Sequence, residues 1–595
     1  MKTKYKILIC AALSVIATAA IADDELKWGD LGDGTFANPV LNGDFSDVDV
    51  IRVGAKYYLT CSEFSYMGMP VLESDDMVNW KVIARVNDHI PAEGYDSMDK
   101  YGQGTWAPAL RYHDGMFYIY VCSPHEGLWV TTATDPAGPW SDMKLIKTVD
   151  GWEDPCPFWD SEGNCYLGRS QLGGGPIIIH KMSPDGMEIL DNGHTVYTGP
   201  TAEGTKFLEK DGYIYMSIPE GGVSTGWQKV LRATDIYGPY EGKICLEQGS
   251  TDVNGPHQGS LVDTPDGKWW FYHFQSTPVL GRVTHLQPVE WVDGFPLIGC
   301  DYDGNGVGEP MKIVPKPIEG VNNMPFGPQS SDDFNGEDIG VFWQYNHNPQ
   351  KEKYSLTERP GWLRWQSSQA TGIKRASNQL SQKVMGYEGI VETCIDPSQM
   401  TNLQRAGISC FGRNSVGGGI QVVNGNYRPY VEVGGIITRM DAVSGDRIYI
   451  RLHLTPDNQH QFYVSTDGEQ WTKIGEPFEQ YEGDWKGMRV GLYNFCTSGD
   501  GGIVDFDYFK YDYDGPGTLN HESEGIERVR APSEYSVKCS PNGVLVKGPS
   551  HSPVMIYNQE GIAMAHGFAN EEISLKEHGL YIASVDNSSI KFVRK

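Results

Sequence analysis

Between about residues 30 and 320 the apolar and polar positions repeat one unit five times: a polar lead-in, a short apolar strand, a turn with Gly or Asp-Gly, then an aromatic strand. The copies read DVDVIRVGAKYYLTCS from Asp47, APALRYHDGMFYIYVCS from Ala107, DPCPFWDSEGNCYLGRS from Asp154, EGTKFLEKDGYIYMSI from Glu203 and HQGSLVDTPDGKWWFYHF from His257. Further short strands follow most copies, such as PVLESDDMVNWKVI, GLWVTTATDPAGPW and KVLRATDIYGPYE. The starts lie about 50–60 residues apart, the length of a four-stranded blade. Residues 23–320 are therefore expected to form a five-bladed β-propeller.

Residues 315–329 are rich in Pro, Gly and Asn and read as a linker. Short alternating strands with turn signals then run from 330 to 514, among them RAGISCFG, RIYIRLHLTPDNQHQFYVSTDGEQW and VDFDYFKYDYD, the pattern of a β-sandwich. A polar stretch at 515–530 leads to a small β pattern at 531–595. The expected class is all-β throughout. Gly 71, Pro 35 and 11% aromatic residues agree with a chain of many turns and little long helix.

At the N-terminus, Lys2, Lys4 and Lys6 precede an apolar stretch from Ile7 to Ala20, and Ala20-Ile21-Ala22 precedes Asp23. That order of charge, apolar core and small-residue cleavage site reads as a signal peptide over 1–22, and so as a periplasmic, extracellular or cell-surface protein. No other run approaches the ~18 apolar residues of a membrane-spanning helix. Lys plus Arg number 48 against 77 Asp plus Glu, a net charge of −29. So acidic a chain lacks the basic footprint that nucleic acid or an anionic membrane requires. Ten cysteines follow the leader, none in a CxxC or finger-like spacing, so buried free thiols are expected rather than zinc.

In a propeller the first strand of each blade lines the central channel, so equivalent strand starts converge on one axis. The copies place Asp47, Ala107, Asp154, Glu203 and His257 there, and three of these are carboxylic acids. Cofactor-free glycoside hydrolysis uses two carboxyl groups, one protonated to assist the leaving oxygen and one ionised to activate water or attack the sugar. A third acid holds up the donor's pKa by like-charge repulsion. A calcium site and a sugar-binding lectin site are the competing uses of the same trio. Phe45, Phe64, Trp106 and Trp152 near these strands are candidate stacking faces for a sugar ring.

The segments NPVLNGDFSDVDVIRVGAKYYL, TWAPALRYHDGMFYIY, WEDPCPFWDSEGNCYLG, AEGTKFLEKDGYIYM and GRVTHLQPVEW together resemble glycoside hydrolase family 43 in order and spacing. The resemblance implies a five-bladed propeller and an inverting β-xylosidase or α-L-arabinofuranosidase acting on arabinoxylan, xylo-oligosaccharide or arabinan, with no organic cofactor. It implies that Asp47 is the general base, Asp154 the acid that tunes pKa, and Glu203 the general acid. By the same match Arg282 bonds the sugar in the −1 subsite and Trp106 forms pocket wall. Residues 330–514 resemble the concanavalin-like domain attached to many such β-xylosidases, which packs on the propeller and can narrow the active-site mouth. There Asp333 and Asp505 match acidic positions for structural calcium, with turn capping as the equal alternative. The last 65 residues bear a weak resemblance to sorting or accessory domains of exported bacterial proteins.

Three points stay open in the residues themselves. The family's axial histidine, a candidate ion ligand, matches either His257 or Gln258, because the local sequence is Pro256-His257-Gln258-Gly259. Asp301, Asp303, Asn305 and Gly306 have calcium-loop spacing, but Lys312 stands at the twelfth position and a polar turn is the better reading. Glu153 adjoins Asp154, and strand alternation is expected to turn it away from the site. A retaining relative of invertase type is the mechanistic rival, although its usual Glu-Cys is Glu203-Gly204 here. A pentose-binding propeller lectin is the non-enzymatic rival.

Overall fold

Each repeat folds as one four-stranded antiparallel sheet whose strands follow one another in chain order. The first is built from Asp49–Val53, Lys56–Thr60, Met69–Ser74 and Lys81–Val86, and the other four begin at Trp106–His113, Trp152–Trp159, Lys206–Lys210 and Leu261–Asp263. In the second and fourth sheets the opening hairpin turns on Asp114-Gly115 and Asp211-Gly212, all four residues at positive φ. This is the two-residue turn whose twist suits antiparallel strands. The chain is described by a computed structural model over residues 28–318, 320–321, 324–517, 536–540, 543–548, 551–558, 563–575, 579–585 and 588–594. The leader at 1–22 and most of the 515–530 stretch lie outside these residues.

The first strands meet at a polar centre. Asp49 Oδ1 accepts from the Ser260 hydroxyl at 2.6 Å, and its Oδ2 accepts from the Leu110 N–H and the Arg111 guanidinium, both at 2.7 Å. Arg111 also donates to Cys156 Sγ at 2.8 Å, and Lys206 Nζ lies 3.9 Å from Asp49. Asp49 and its partner Arg111 thus link residues of all five repeats, which a sequence of separate hairpins would not do. A cavity of about 190 Å³ lined by Asp49, Arg111, Lys206 and Ser260 continues along this centre.

Beyond residue 330 two further sheets stack as a sandwich. The seven-stranded sheet centres on Ile503–Tyr513 and Gly389–Asp396, and the nine-stranded sheet on Gln404–Phe411 and Arg489–Cys496. Their facing sides bury Trp343, Trp365, Phe506, Phe509, Leu492 and Ile408. The edge of the nine-stranded sheet does not end within the sandwich. Tyr66–Met67, from the first repeat, pairs antiparallel with Gln344–Asn346 and extends it. Main-chain pairing therefore fixes the sandwich onto the chain two residues after Phe64.

The described residues from 536 to 594 form a separate compact unit. Its described strands make a three-stranded and a four-stranded sheet around Val544, Val546, Val554, Ile556, Ile573 and Tyr581. Of the ten cysteines in the described residues, nine are buried and none is in a disulfide. Among the described residues the helical segments are two short 3-10 turns, and no helix is long and apolar enough to cross a membrane.

Candidate active site

A pocket of about 460 Å³ opens where the five first strands begin, and Asp47, Asp154 and Glu203 all line it. The backbone explains how. Asp47, Ala107, Asp154, Gly204 and Gln258 all have positive φ, at 54°, 41°, 53°, 61° and 54°. One left-handed residue thus precedes or opens the first strand of every sheet. Held in non-glycine residues, this conformation costs on the order of 1–3 kcal/mol each, and such strain concentrates at functional sites. At Gly204 a side chain is excluded outright, since a Cβ would lie 2.6 Å from Pro219 Cδ. Glu203 and His257 therefore sit one residue before the position that Asp47 and Asp154 hold, a shift the bare sequence alignment does not show.

The same feature corrects the expectation for Glu153. Pairing in the third sheet slips by one residue between Glu153 and Cys156, a bulge at Asp154-Pro155, and the second sheet slips identically at Ala107-Pro108. A bulge re-aims side chains and breaks strict alternation. Glu153 is thus the counterpart of Trp106 and Glu203, and all three line the pocket. One carboxylate oxygen each from Glu153, Asp154 and Glu203 lies within 4.8 Å of the others.

The acids differ in their partners. Asp47 accepts from Arg282 Nη1 at 2.6 Å and from the Ser62 hydroxyl at 2.5 Å, a donor set suited to a carboxylate anion. Asp154 Oδ2 accepts from the Gly204 N–H at 2.7 Å, yet burial and the Asp47 charge still raise its pKa to about 6. Glu153 accepts from the Gly174 N–H at 3.1 Å, and burial together with Asp154 raises it to about 8. Glu203 has no side-chain hydrogen bond among the described residues. Burial, then Asp154, Glu153 and Asp47, raise it to about 9, so it holds a proton at neutral pH.

Phe64, Trp106, Gln258 and Arg282 line the pocket as well. Phe64 and Trp106 meet edge to face at 5.6 Å, and Arg282 lies over Phe64 at 5.5 Å. Trp485 was not anticipated. It comes from the sandwich, meets Trp106 at 6.2 Å and remains 57% exposed. Its loop is docked by the Glu482 N–H to Pro278 O at 2.7 Å and the Met488 N–H to Val279 O at 3.1 Å. Gly487 permits that approach, since a Cβ there would lie 1.9 Å from Leu280 O.

Other predicted residues lie elsewhere. Phe45 is buried beneath Lys383 and lines a separate small cavity against Met385 and Pro328. Trp152 is buried under Arg169 at 4.0 Å and against His180 at 4.7 Å. Both neighbour the acids in sequence, but their rings fill core. Asp505 is not free to bind calcium: it accepts from Arg364 at 2.9 and 3.0 Å and from Arg359 at 2.5 Å. Asp333 takes the Asn335 N–H at 3.2 Å, a turn-capping contact. Asp301 and Asp303 likewise cap the turn at Asn305 and Gly306. His257 is buried outside the pocket lining. It donates Nδ1–H to Gly255 O at 2.6 Å, leaving Nε2 as a buried lone pair with no hydrogen-bond partner among the described residues. That donor fits an axial ion or its hydrating water.

The comparisons with known proteins agree with this geometry. The model of glycosyl hydrolases family 43 matches residues 36–296, and that of the β-xylosidase C-terminal concanavalin A-like domain matches 331–512. A protein of Xylanibacter ruminicola assigned by name as a β-xylosidase is 50% identical over 469 residues, 79% of this chain and 88% of that one. A non-reducing-end α-L-arabinofuranosidase of Bacteroides ovatus is 32% identical over 56% of this chain and 65% of its own. The solved structure of a family 43 protein from Bacillus licheniformis superposes with a TM-score of 0.71 at 26% identity, covering 80% of this chain and 99% of that one. With a propeller of the family's type, a pocket of converging acids and both domain models matched in order, the chain belongs to glycosyl hydrolases family 43 and is a glycoside hydrolase.

Proposed function

We propose that the protein is an exo-acting, inverting β-xylosidase that releases xylose from xylo-oligosaccharides. The observation that carries this reading is the split between two acids of one pocket: Glu203 is held protonated by burial and like charges, while Asp47 is bonded by a guanidinium and a hydroxyl. Glu203 protonates the departing oxygen. Asp47 takes a proton from water attacking the opposite face of the sugar, which calls for a carboxyl separation of about 6.5–9.5 Å. Asp154, bonded to the N–H beside Glu203, carries negative charge that keeps the acid protonated before the step. Arg282 fixes Asp47 at the pocket wall, and Phe64, Trp106 and Trp485 give the sugar apolar faces.

The 50% identity to the Xylanibacter protein, over 79% of this chain, supports xylose over arabinofuranose. The leader pattern at 1–22 supports export to the periplasm or cell surface. A cation on the axis would be held through His257 Nε2 and would supply positive potential beneath the pocket.

Kinetics of Asp47→Asn and Glu203→Gln on nitrophenyl β-xyloside test the roles. Each is expected to lose about 10²–10⁴-fold in kcat, and wild-type rates would overturn the assignment. Proton NMR of the first-formed sugar should show the α-anomer; the β-anomer would mark a retaining enzyme. Faster turnover of nitrophenyl α-L-arabinofuranoside would reassign the substrate.

A further inference from the structure

Four carboxyl groups face one pocket, one more than the reaction requires. Asp47, Asp154 and Glu203 have roles in the mechanism above, and Glu153 does not. Its position is nonetheless built, by the bulge that turns it inward and by the Gly174 N–H that holds it.

The charged neighbours decide what it can do. Facing it are Asp154 on its own strand and Glu203, three residues before the fourth sheet begins, while Asp47 acts on Asp154 and Glu203 from before the first. The nearby cations are committed elsewhere. Arg282 bonds Asp47, Lys206 lies toward Asp49, and Arg169, lying over Trp152, bonds His180 Nε2 and the Ser170 carbonyl. Cys122, buried behind Asp154 and Glu153, brings no positive charge. With three carboxyl groups this close and no cation bonded to Glu153 or Glu203 among the described residues, they do not all ionise together at neutral pH. Asp154 is the one whose anion receives a short backbone N–H bond, so the neutral form falls to the two glutamates.

We propose that Glu153 is a positioning acid that shares a proton with Glu203 and returns it after each turnover; the inference rests on Glu203 being the general acid. When Glu203–COOH gives its proton to the departing oxygen, it becomes a carboxylate beside Glu153–COOH. The proton passes from the Glu153 oxygen to Glu203 across a gap of at most 4.8 Å, which one water or a small rotamer change closes. Glu153 is then the anion and regains a proton from solvent. Asp47 releases to solvent the proton it took from the attacking water, so the cycle balances without a further reagent.

The test is the pH dependence of kcat and KM for full-length Glu153→Gln, beside Glu153→Asp and Glu203→Gln. In Glu153→Gln the basic limb should move to lower pH by about one unit, kcat near pH 7 should fall several-fold and KM should stay within about twofold. Glu153→Asp keeps a carboxyl and should keep the wild-type limb, which also guards against a folding artefact in the amide variant. A limb unmoved in Glu153→Gln, or displaced equally in both variants, overturns the proposal. So does a rise in KM alone, which would mark a substrate contact, or a wild-type limb that shifts on dialysis against EDTA, which would mark a bound cation. If Glu203→Gln is inert while Glu153→Gln keeps its limb, only this inference fails; if Glu203→Gln turns over normally, the assignment of the acid fails first.

Discussion

Ser62 and Glu63 are neighbours in the chain but belong to clusters built on opposite rules. Ser62 donates to Asp47 in the pocket, where among the described residues Asp47, Glu153, Asp154 and Glu203 share one directly bonded cation, Arg282. Glu63 turns the other way, into the seam with the sandwich, where a single buried carboxylate meets two cations: Lys383 at 2.6 Å and Arg489. The seam satisfies charge and the pocket withholds it. A carboxylate outnumbered by its cations holds geometry, whereas carboxyls that outnumber their cations can hold and release protons, so the two rules mark where the molecule is fastened and where it reacts.

Removing the counter-charge from the seam should have the largest effect on stability. Glu63→Gln leaves Lys383 and Arg489 buried without their carboxylate, a defect worth about 3–5 kcal/mol. Thermal melts should show a clearly lowered Tm, and activity should fall too, because Glu63 lies between Ser62 and Phe64. Glu203→Gln in the pocket should do the reverse, abolishing turnover with Tm held or raised, since a glutamate already neutral in the fold loses no charge interaction as an amide. Equal Tm losses in the two variants would erase the distinction.

Trp485 sharpens the comparison at smaller scale, because the seam carries it to the pocket. Trp485→Ala removes an exposed ring that contacts Trp106 and should leave Tm unchanged. KM for xylo-oligosaccharides should rise roughly threefold to tenfold, in line with about 0.5–1.5 kcal/mol for a ring contact. An unchanged KM would show that the sandwich docks without shaping the mouth.

What the sequence could reveal follows from which interactions are local. The repeat exposed Asp47, Asp154 and Glu203 because strand starts recur with the same turn chemistry. It hid Glu153 because alternation holds only for regular strands, and a left-handed residue with a bulge breaks it at Asp154. A signal was present: Trp106-Ala107-Pro108 and Glu153-Asp154-Pro155 align on their prolines, which pairs Glu153 with a pocket-wall residue. Phe45 and Trp152 misled because adjacency in a strand does not say which face a ring takes. Asp505 misled because Arg359 and Arg364, which satisfy it, come from distant segments. Trp485 was out of reach for the same reason, since a docked loop some 200 residues downstream of Arg282 brings it in.

The smallest effect separates the two rules by pH. Asp154, Glu153 and Glu203 have folded values of about 6, about 8 and about 9, above their ordinary 3.8 and 4.5. The native pocket therefore keeps protons that the unfolded chain has released. Their contribution to stability is fully present below the unfolded carboxyl range and is lost as pH rises through the folded values, from about pH 4 to about 9. Calorimetric Tm at matched ionic strength should decline across that window in the wild type. Glu203→Gln and Glu153→Gln should each flatten the decline, and the double variant should flatten it most. Glu63→Gln should lower the whole curve while keeping its slope, because the defect it creates is an unpaired pair of cations rather than a lost proton. A double variant with the wild-type slope would show that the pocket acids ionise freely in the fold, and the contrast between pocket and seam would fail with it.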